Sequence, residues 1–139
     1  KHLSNKESRW MKDQNHKISR SIVDEAITNG VCLIRLEDLT GIRQTAKSSK
    51  KVDRSLHSWA HYQLQEFIEY KALMNGMAVE YVKPNYTSQT CKCGHRDKKN
   101  RKKHIFECTS CGYCSHSDVN ASINIAKAIS GLSKKKIAS

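Results

Sequence analysis

Five of the six cysteines cluster in the second half of the chain at spacings typical of a metal site. Cys108 and Cys111 are separated by two residues and followed by Gly112, so both sulfurs can reach one ion and the chain can turn tightly. Cys91 and Cys93, also followed by a glycine, resemble a matching half with one residue fewer. Fourteen residues separate Cys93 from Cys108, a spacer typical of a zinc ribbon. The sequence therefore predicts a structural Zn²⁺ held by Cys91, Cys93, Cys108 and Cys111.

The short spacing between Cys91 and Cys93 leaves the fourth ligand open, because a tetrahedral site is harder to close over one intervening residue. If Cys91 does not reach the ion, the fourth ligand can come from one of three neighbours: His95, Cys114 or His116. A disulfide is the weaker alternative, since cytosolic thiols stay reduced. Cys32 lies inside an apolar run, and we interpret it as a small core residue.

Six cations lie between the two cysteine pairs, and we expect them to contact nucleic acid: Arg96, Lys98, Lys99, Arg101, Lys102 and Lys103. The chain carries 25 Lys and Arg against 13 Asp and Glu, a net charge of +12. Twelve of these basic residues and only three acidic ones fall within residues 81–139. One strongly basic end favours a polyanionic partner. A metal ion that fixes the loop lets its cations meet phosphates without the full cost of ordering, although such contacts read no sequence.

Two helices and two short apolar runs in the first half predict an α/β fold. Apolar residues at helical spacing predict one helix over residues 4–29 and another from Asp53 to Gly76. The runs 31–36 and 77–82 predict strands, the first of them buried on both faces. Strand, long helix and strand form a βαβ unit, so we expect the two strands to be parallel.

The remaining segments predict a loop, a last helix and a tail. Residues 40–52 are rich in Ser and Lys and predict an exposed loop. A last helix is expected from Asp118 through Ile129, followed by a basic tail over residues 131–139.

The 139 residues have the size of one domain. No apolar run approaches the ~18 residues that a membrane-spanning helix needs, and no N-terminal apolar segment indicates export, so we expect a cytoplasmic protein with no membrane partner.

Two carboxylates, Glu37 and Asp118, are expected to meet at one edge of the sheet. Glu37 stands at the carboxyl end of the first strand, and Asp118 opens the helix that returns after the cysteine pairs. Ligands of open parallel sheets bind beyond the carboxyl ends of the strands, where carboxylates can hold Mg²⁺ for phosphodiester hydrolysis. Alternatively, Glu37 is a solvated strand end and Asp118 an N-cap. Asp38 points to the opposite face if the strand persists, and is a poor ligand candidate.

The order of short motifs along residues 5–130 resembles the TnpB/OrfB proteins of insertion sequences, often called transposases. The motifs are Arg9-Trp10, His16–Arg20 with Ile22-Val23, Leu36–Leu39 with Gly41-Ile42, Val82–Pro84, Tyr86–Gln89, the cysteine pairs, and Asp118–Ala121 with Asn124-Ile125. That family consists of RNA-guided DNA endonucleases related to the compact type V CRISPR effectors. The resemblance implies a RuvC-like nuclease domain of RNase H-like fold, with a zinc ribbon inserted before the last catalytic motif.

The resemblance also implies roles and partners. Glu37 matches the second catalytic carboxylate and Asp118 the third, with Mg²⁺ or Mn²⁺ in the complete protein. The family's first catalytic Asp lies on a strand upstream of the first helix, so this chain looks like the C-terminal part of a larger protein. We expect a partial nuclease core in residues 1–83, the ribbon in 84–115, and the returning helix with its tail in 116–139. The implied partners are DNA, a guide RNA and the missing N-terminal part, in a prokaryotic cytoplasm near the nucleoid.

Two other hypotheses remain open: a non-catalytic zinc-ribbon module that binds nucleic acid, and an inactive relic of a mobile element. In the RNase H-like fold, the missing strand lies beside the strand of Glu37. Without it, a two-stranded pair exposes an apolar edge and is marginal. We therefore expect the chain by itself to be weakly stable or self-associating, and to cleave no DNA above background.

Overall fold

The computed structural model describes residues 2–39, 51–83, 86–128 and 132–137. The first half contains α1 (His2–Thr28), β1 (Leu33–Glu37), α2 (Lys51–Met74) and β2 (Ala78–Val82). The second half contains a 3₁₀ helix (Lys98–Asn100), β3 (Arg101–Lys102), β4 (Ile105–Glu107), β5 (Cys114–His116), α3 (Ser117–Ala126) and β6 (Leu132–Lys136). The α/β class expected from the sequence is confirmed. None of the described helices is long and apolar enough to cross a membrane.

Helices α1 and α2 pack together over one face of the first sheet. The buried apolar cluster between them consists of Val23, Ile68, Ala72, Met77 and Val79. Ile34 and Leu36 of β1 pack against this cluster, so the even-numbered side chains of β1 face the helices. The Asn15 amide of α1 donates to the Ala60 carbonyl of α2 at 2.9 Å, which adds a polar link to the helix contact. Gly30 ends α1 with a φ of 65°.

Strands β1 and β2 are parallel, as the βαβ pattern predicts, with a register running from Leu33↔Ala78 to Glu37↔Val82. Glu37 is the last residue of β1 and not a residue beyond it. All five residues of β1 are only half-buried, and Cys32 just before it is exposed. The expectations of a strand buried on both faces and of a core cysteine were therefore wrong. The reason is position: in the described residues, β1 has a strand neighbour on one side only.

The C-terminal segment forms a strand and not merely a basic tail. β6 pairs antiparallel with β2, with Val79 opposite Lys136, so the sheet has three strands in the order β1-β2-β6. The expected two-stranded pair was wrong for this reason. The sequence Leu-Ser-Lys-Lys-Lys shows no apolar alternation, but lysines are well tolerated on an edge strand. Lys136 Nζ lies 2.6 Å from Glu69 Oε1, which attaches β6 to α2.

The second sheet is an antiparallel ribbon of β3, β4 and β5 that leads directly into α3. α3 begins at Ser117, and the residue that caps it is His116. The N-cap alternative for Asp118 was therefore wrong, because Asp118 lies in the first turn of α3. Of the loop expected over residues 40–52, positions 40–50 lie outside the described residues. Positions 51 and 52 belong to α2, so the loop prediction was wrong there. Ile129, the expected end of the last helix, also lies outside the described residues.

Candidate functional site

The structure brings together the four cysteines predicted to bind metal. The Sγ atoms of Cys91, Cys93, Cys108 and Cys111 all lie within 4.8 Å of one another. Cys91 Sγ is 3.7 Å from Cys111 Sγ, and Cys93 Sγ is 3.8 Å from Cys108 Sγ. A regular tetrahedron with Zn–S bonds of about 2.3 Å has sulfurs about 3.8 Å apart. The cluster therefore fits a single tetrahedral ion such as zinc.

Each cysteine pair lies on a tight turn stabilised by backbone hydrogen bonds. The Gly94 N–H donates to the Cys91 carbonyl at 2.9 Å, and Gly94 has a φ of 89°. The Gly112 N–H donates to the Cys108 carbonyl at 3.0 Å, and Gly112 has a φ of 71°. Glycine takes this left-handed conformation at little cost, and the turn brings Cys91 into the cluster despite its single-residue spacing.

The cluster's thiols differ in how readily they ionise. Burial raises the pKa of Cys91 to about 12. Hydrogen bonds from backbone N–H groups, that of Cys111 foremost, lower the pKa of Cys108 to about 6. Metal ions bind thiolates, so at neutral pH an entering cation would meet Cys108 already largely ionised and would displace the proton of Cys91.

The three alternative ligands do not join the cluster. His95 Nε2 lies 3.0 Å from Thr109 Oγ1, and Cys114 is exposed on β5. His116 Nδ1 accepts from the backbone N–H of Asp118 at 3.3 Å and caps α3. In the part of the chain that is described, the four cysteines are the one group of three or more His, Cys, Asp or Glu side chains close enough to share an ion.

A buried asparagine that the sequence analysis did not single out joins the two cysteine turns. Asn100 has no exposed surface. Its Nδ2 donates to the Gln89 carbonyl at 3.1 Å, just before the first pair. Its Oδ1 accepts from the Thr109 backbone N–H at 3.0 Å and from the Thr109 hydroxyl at 3.1 Å, within the second pair. The only hint in the sequence is an uncharged residue within a run of cations.

The six cations expected to contact nucleic acid are all exposed, on the 3₁₀ helix, β3 and the adjoining turns. The side chains of three of them have partners on the ribbon, and one of these is Arg101, whose Nε donates to the Lys103 carbonyl at 3.4 Å. The Arg96 guanidinium lies 4.1 Å from the Tyr86 ring centre, and Lys102 Nζ lies 2.8 Å from Glu107 Oε2. The cysteine turns and Asn100 fix the backbone that carries these charges, so the ribbon presents an ordered cationic surface.

Glu37 stands at the carboxyl end of β1, on the face opposite α1 and α2. Its backbone carbonyl accepts from Gln65 Nε2 of α2 at 2.7 Å, which anchors the strand end. Burial raises the pKa of the Glu37 carboxyl, and the Arg101 guanidinium of β3 offsets part of that rise. Asp38 lines a cavity of about 150 Å³ with Tyr62 and other residues of α2. The two neighbouring acids thus face different sides of the sheet.

Asp118 lies on α3, which packs against β1. Its side chain is 77% exposed, and its Oδ2 lies 3.7 Å from His116 Nδ1. Arg35, two residues before Glu37 on the same face of β1, donates from Nη1 to the Ala126 carbonyl at the end of α3 at 2.5 Å. Glu37 and Asp118 therefore belong to two elements joined by a direct contact.

Arg35 also explains how a charged residue is tolerated within an apolar strand. Its Nε lies 2.9 Å from Glu80 Oε2, directly across in the β1–β2 register. The Glu80 side chain is only 6% exposed. The guanidinium thus neutralises a buried acid and at the same time caps the carbonyl end of α3, where a cation is favoured by the helix dipole.

Comparison with known proteins finds similar sequences among Cas12f1 and TnpB-like proteins. Residues 61–125 match the sequence profile of the Cas12f1-like, TNB domain. The chain is 43% identical over 126 residues to the CRISPR-associated endodeoxyribonuclease Cas12f1 of Sulfoacidibacillus thermotolerans, covering 89% of this chain and 28% of that protein. It is 40% identical over 126 residues to a TnpB-like protein of Methanocaldococcus jannaschii, covering 89% of this chain and 45% of that protein.

Solved structures with the same fold include a cryo-EM structure of a Cas12f1–sgRNA–target DNA complex. The TM-score is 0.71 at 30% identity, over 90% of this chain and 36% of that one. A CRISPR-Cas12f ternary complex gives a TM-score of 0.71 at 31% identity, over 91% of this chain and 26% of that one. The chain therefore spans less than half the length of each of these relatives.

Proposed function

We propose that this chain is the C-terminal part of a RuvC-like, metal-dependent DNA endonuclease. The reason is that the chain belongs to the family of the Cas12f1 and TnpB-like proteins. In this proposal Glu37 and Asp118 are two of the carboxylates that hold Mg²⁺ or Mn²⁺ for phosphodiester hydrolysis. A further carboxylate comes from a strand outside these 139 residues. Transposition of the encoding element would be a consequence of such DNA cleavage.

The packing of α3 on the Glu37 face of β1 is the observation that carries this proposal. Side chains alternate along a strand, so Arg35 and Glu37 share one face. Arg35 binds the last turn of α3 through the Ala126 carbonyl, and Asp118 occupies the first turn of the same helix. This packing supports the proposal that the carboxylate at the end of β1 and the carboxylate in the first turn of α3 lie at one edge of the sheet, where ligands of parallel sheets bind.

The two carboxylates suit a hard divalent cation, which prefers oxygen ligands. Such a cation, when bound, lowers the pKa of water and stabilises the leaving oxygen. Glu37 is half-buried, and burial disfavours its ionised form, so a neighbouring cation would stabilise it. Gln65 holds the backbone of Glu37, which fixes the position from which the carboxylate reaches the ion. Two carboxylates are few for a two-ion mechanism, which supports a contribution from a further strand.

The exposed edge of β1 also supports the contribution of a further strand. The run Val31–Leu36 has the composition of a central strand, yet among the described residues β1 lies at the edge of the sheet. In α1, Ile18 and Ile22 are 45% and 37% exposed although they follow the helix's apolar spacing. A strand paired with β1 would satisfy the free backbone groups of that edge and cover half-buried apolar surface. We propose that the N-terminal part of the complete protein supplies this strand.

The ribbon is proposed to contact nucleic acid. Its ordered cations favour phosphate contacts, and the similar Cas12f1 was solved with an sgRNA and target DNA. The non-catalytic module remains a second candidate, favoured by the fact that all six cations of this surface are exposed within the described residues. It predicts salt-sensitive DNA or RNA binding that survives Glu37→Gln and Asp118→Asn.

Paramagnetic broadening by Mn²⁺ tests the shared carboxylate site in the chain as it stands. We expect dilute Mn²⁺ to broaden the amide resonances of residues 36–38 and 117–119 together, and Glu37→Gln to reduce both effects. Asp38→Asn is the matched control, because Asp38 faces the cavity beside α2. Broadening at only one of the two segments, or broadening unchanged in Glu37→Gln, would contradict the proposal.

The same proposal predicts that the isolated chain cleaves no DNA above background with Mg²⁺ or Mn²⁺. Cleavage by the purified chain that Glu37→Gln abolishes would show that no further carboxylate is required.

A further inference from the structure

The helix that carries Asp118 is attached mainly by polar contacts. The buried residues of α3 are Ser117 and Asn120, and Val119 is 51% exposed. Ile123 and Ile125 are only half-buried, and Ala126 is exposed. Nonpolar burial is non-directional, whereas hydrogen bonds fix both position and rotation. The orientation of α3 therefore depends on where its polar side chains find partners.

Those partners are backbone carbonyls of the segment that leads into the first cysteine turn. Asn120 Nδ2 donates to the Thr90 carbonyl at 2.9 Å. Asn124 Nδ2 donates to the Thr87 and Thr90 carbonyls, both at 2.7 Å. Asn120 and Asn124 are four residues apart and so share one face of the helix. Both amides thus converge on a single carbonyl, which is a specific and rotation-sensitive attachment.

The Thr90 carbonyl is covalently next to the metal cluster. Thr90 directly precedes Cys91, and it forms a β-bridge with Arg96 across the first cysteine turn. The position of this carbonyl consequently depends on whether that turn is folded. At the other end of the ribbon, the Ser117 hydroxyl donates to the Lys103 carbonyl at 3.1 Å, which ties the start of α3 to the β3–β4 turn.

We propose that Asn120 and Asn124 are positioning residues that couple metal occupancy of the four-cysteine cluster to the order of α3 and hence to the position of Asp118. The metal folds the first cysteine turn, the turn fixes the Thr90 carbonyl, and the two asparagines transmit that position to the helix. The coupling rests on the contacts above, and its meaning for catalysis rests on the proposed function. The ribbon thereby does more than present cations to nucleic acid.

Amide hydrogen exchange tests the coupling without any nuclease assay. The exchange of residues 120–126 is compared between zinc-loaded and chelator-treated chain, with α1 and α2 as internal reference. We expect zinc to slow exchange in α3 by tenfold or more, and in the α1–α2 core by much less. In Asn120→Ala and Asn124→Ala, zinc should slow α3 exchange at most threefold. Alanine favours helix more than asparagine does, so a loss of protection cannot be assigned to weaker helix propensity.

Ser122→Ala is the matched control, because among the described residues the Ser122 hydroxyl bonds within the helix, to the Val119 carbonyl at 2.9 Å. It should retain the wild-type response. Co²⁺ binding, followed by the thiolate absorbance, should be unchanged in all three variants. The inference is overturned if wild-type α3 exchange is indifferent to zinc, or if the core responds as strongly as α3. It is also overturned if the asparagine variants respond like wild type or lose Co²⁺ binding. A positive result combined with a negative Mn²⁺ experiment would keep the coupling and reject the nuclease site.

Discussion

Replacing Asn100 by alanine should weaken zinc binding strongly, although Asn100 is not itself a ligand. The side chain is fully buried and makes three hydrogen bonds of 3.0–3.1 Å that join Gln89 to Thr109. Each such bond contributes about 1 kcal/mol net, and a buried group left without a partner costs about 1–3 kcal/mol. The substitution should therefore destabilise the folded ribbon by about 3–4 kcal/mol.

That free energy appears directly as a loss of metal affinity, because small zinc domains fold only when they bind the ion. A loss of about 3–4 kcal/mol corresponds to roughly 10²- to 10³-fold weaker binding, since about 1.4 kcal/mol is a factor of ten. Affinity is measured by competition between the chain and a chelator of known strength. Thr109→Val, which removes one hydroxyl and leaves the backbone bond to Asn100, should weaken binding about tenfold.

Asn75→Ala is the control for the loss of an asparagine, because the Asn75 amide donates to the Lys71 carbonyl at 2.8 Å, at the end of α2 and outside the ribbon. It should leave zinc affinity unchanged. The reasoning fails if Asn100→Ala binds zinc within threefold of wild type, because the two cysteine turns would then be held together without Asn100.

Three further perturbations address the sheet. Arg35→Leu removes one partner of the buried Glu80 and should destabilise the fold by about 2 kcal/mol, measured by urea unfolding. Arg35→Leu combined with Glu80→Leu should recover part of that loss. Without divalent cations, Glu37→Gln should raise the Tm at pH 7. Burial raises the pKa of the Glu37 carboxyl above its ordinary 4.5, so ionisation of Glu37 favours the unfolded chain. Below about pH 4 the carboxyl is protonated in both states, and the higher Tm of Glu37→Gln should vanish. A higher Tm that persists there would contradict this account. Deleting residues 131–139 should lower the urea midpoint and promote self-association seen by light scattering, because it exposes the edge of β2; an unchanged midpoint would mean that β6 adds no stability.

The parts of the fold that follow from local pattern were predictable. Helical periodicity gave α1 and α2, and the βαβ order gave a parallel pair whose register now runs from Leu33↔Ala78 to Glu37↔Val82. The cysteine spacing was sufficient to predict the cluster, because a short turn leaves the two sulfurs few positions other than side by side.

The missed features depend on long-range partners. β6 was missed because its lysines resemble a solvated tail, and only its pairing with β2 makes it a strand. The capping role of His116 was missed because histidine is an unusual N-cap and was considered as a zinc ligand. Asn100, Asn120 and Asn124 were missed as anchors because polar residues near a basic loop carry no periodic signal. Their partners are backbone carbonyls, which no side-chain pattern in the sequence marks.

The edge position of β1 connects the stability of this chain to its proposed chemistry. Glu37 ends a strand whose apolar sequence suits the centre of a sheet, while the strand itself is half-buried at an edge. A strand added at that edge would bury β1 and would lie next to Glu37, where the proposed site calls for a further carboxylate. One segment would then complete both the hydrophobic core and the acidic site. It follows that a stabilising partner and an activating partner for this chain should be the same molecule, and that binding should raise the Tm before any cleavage is detected.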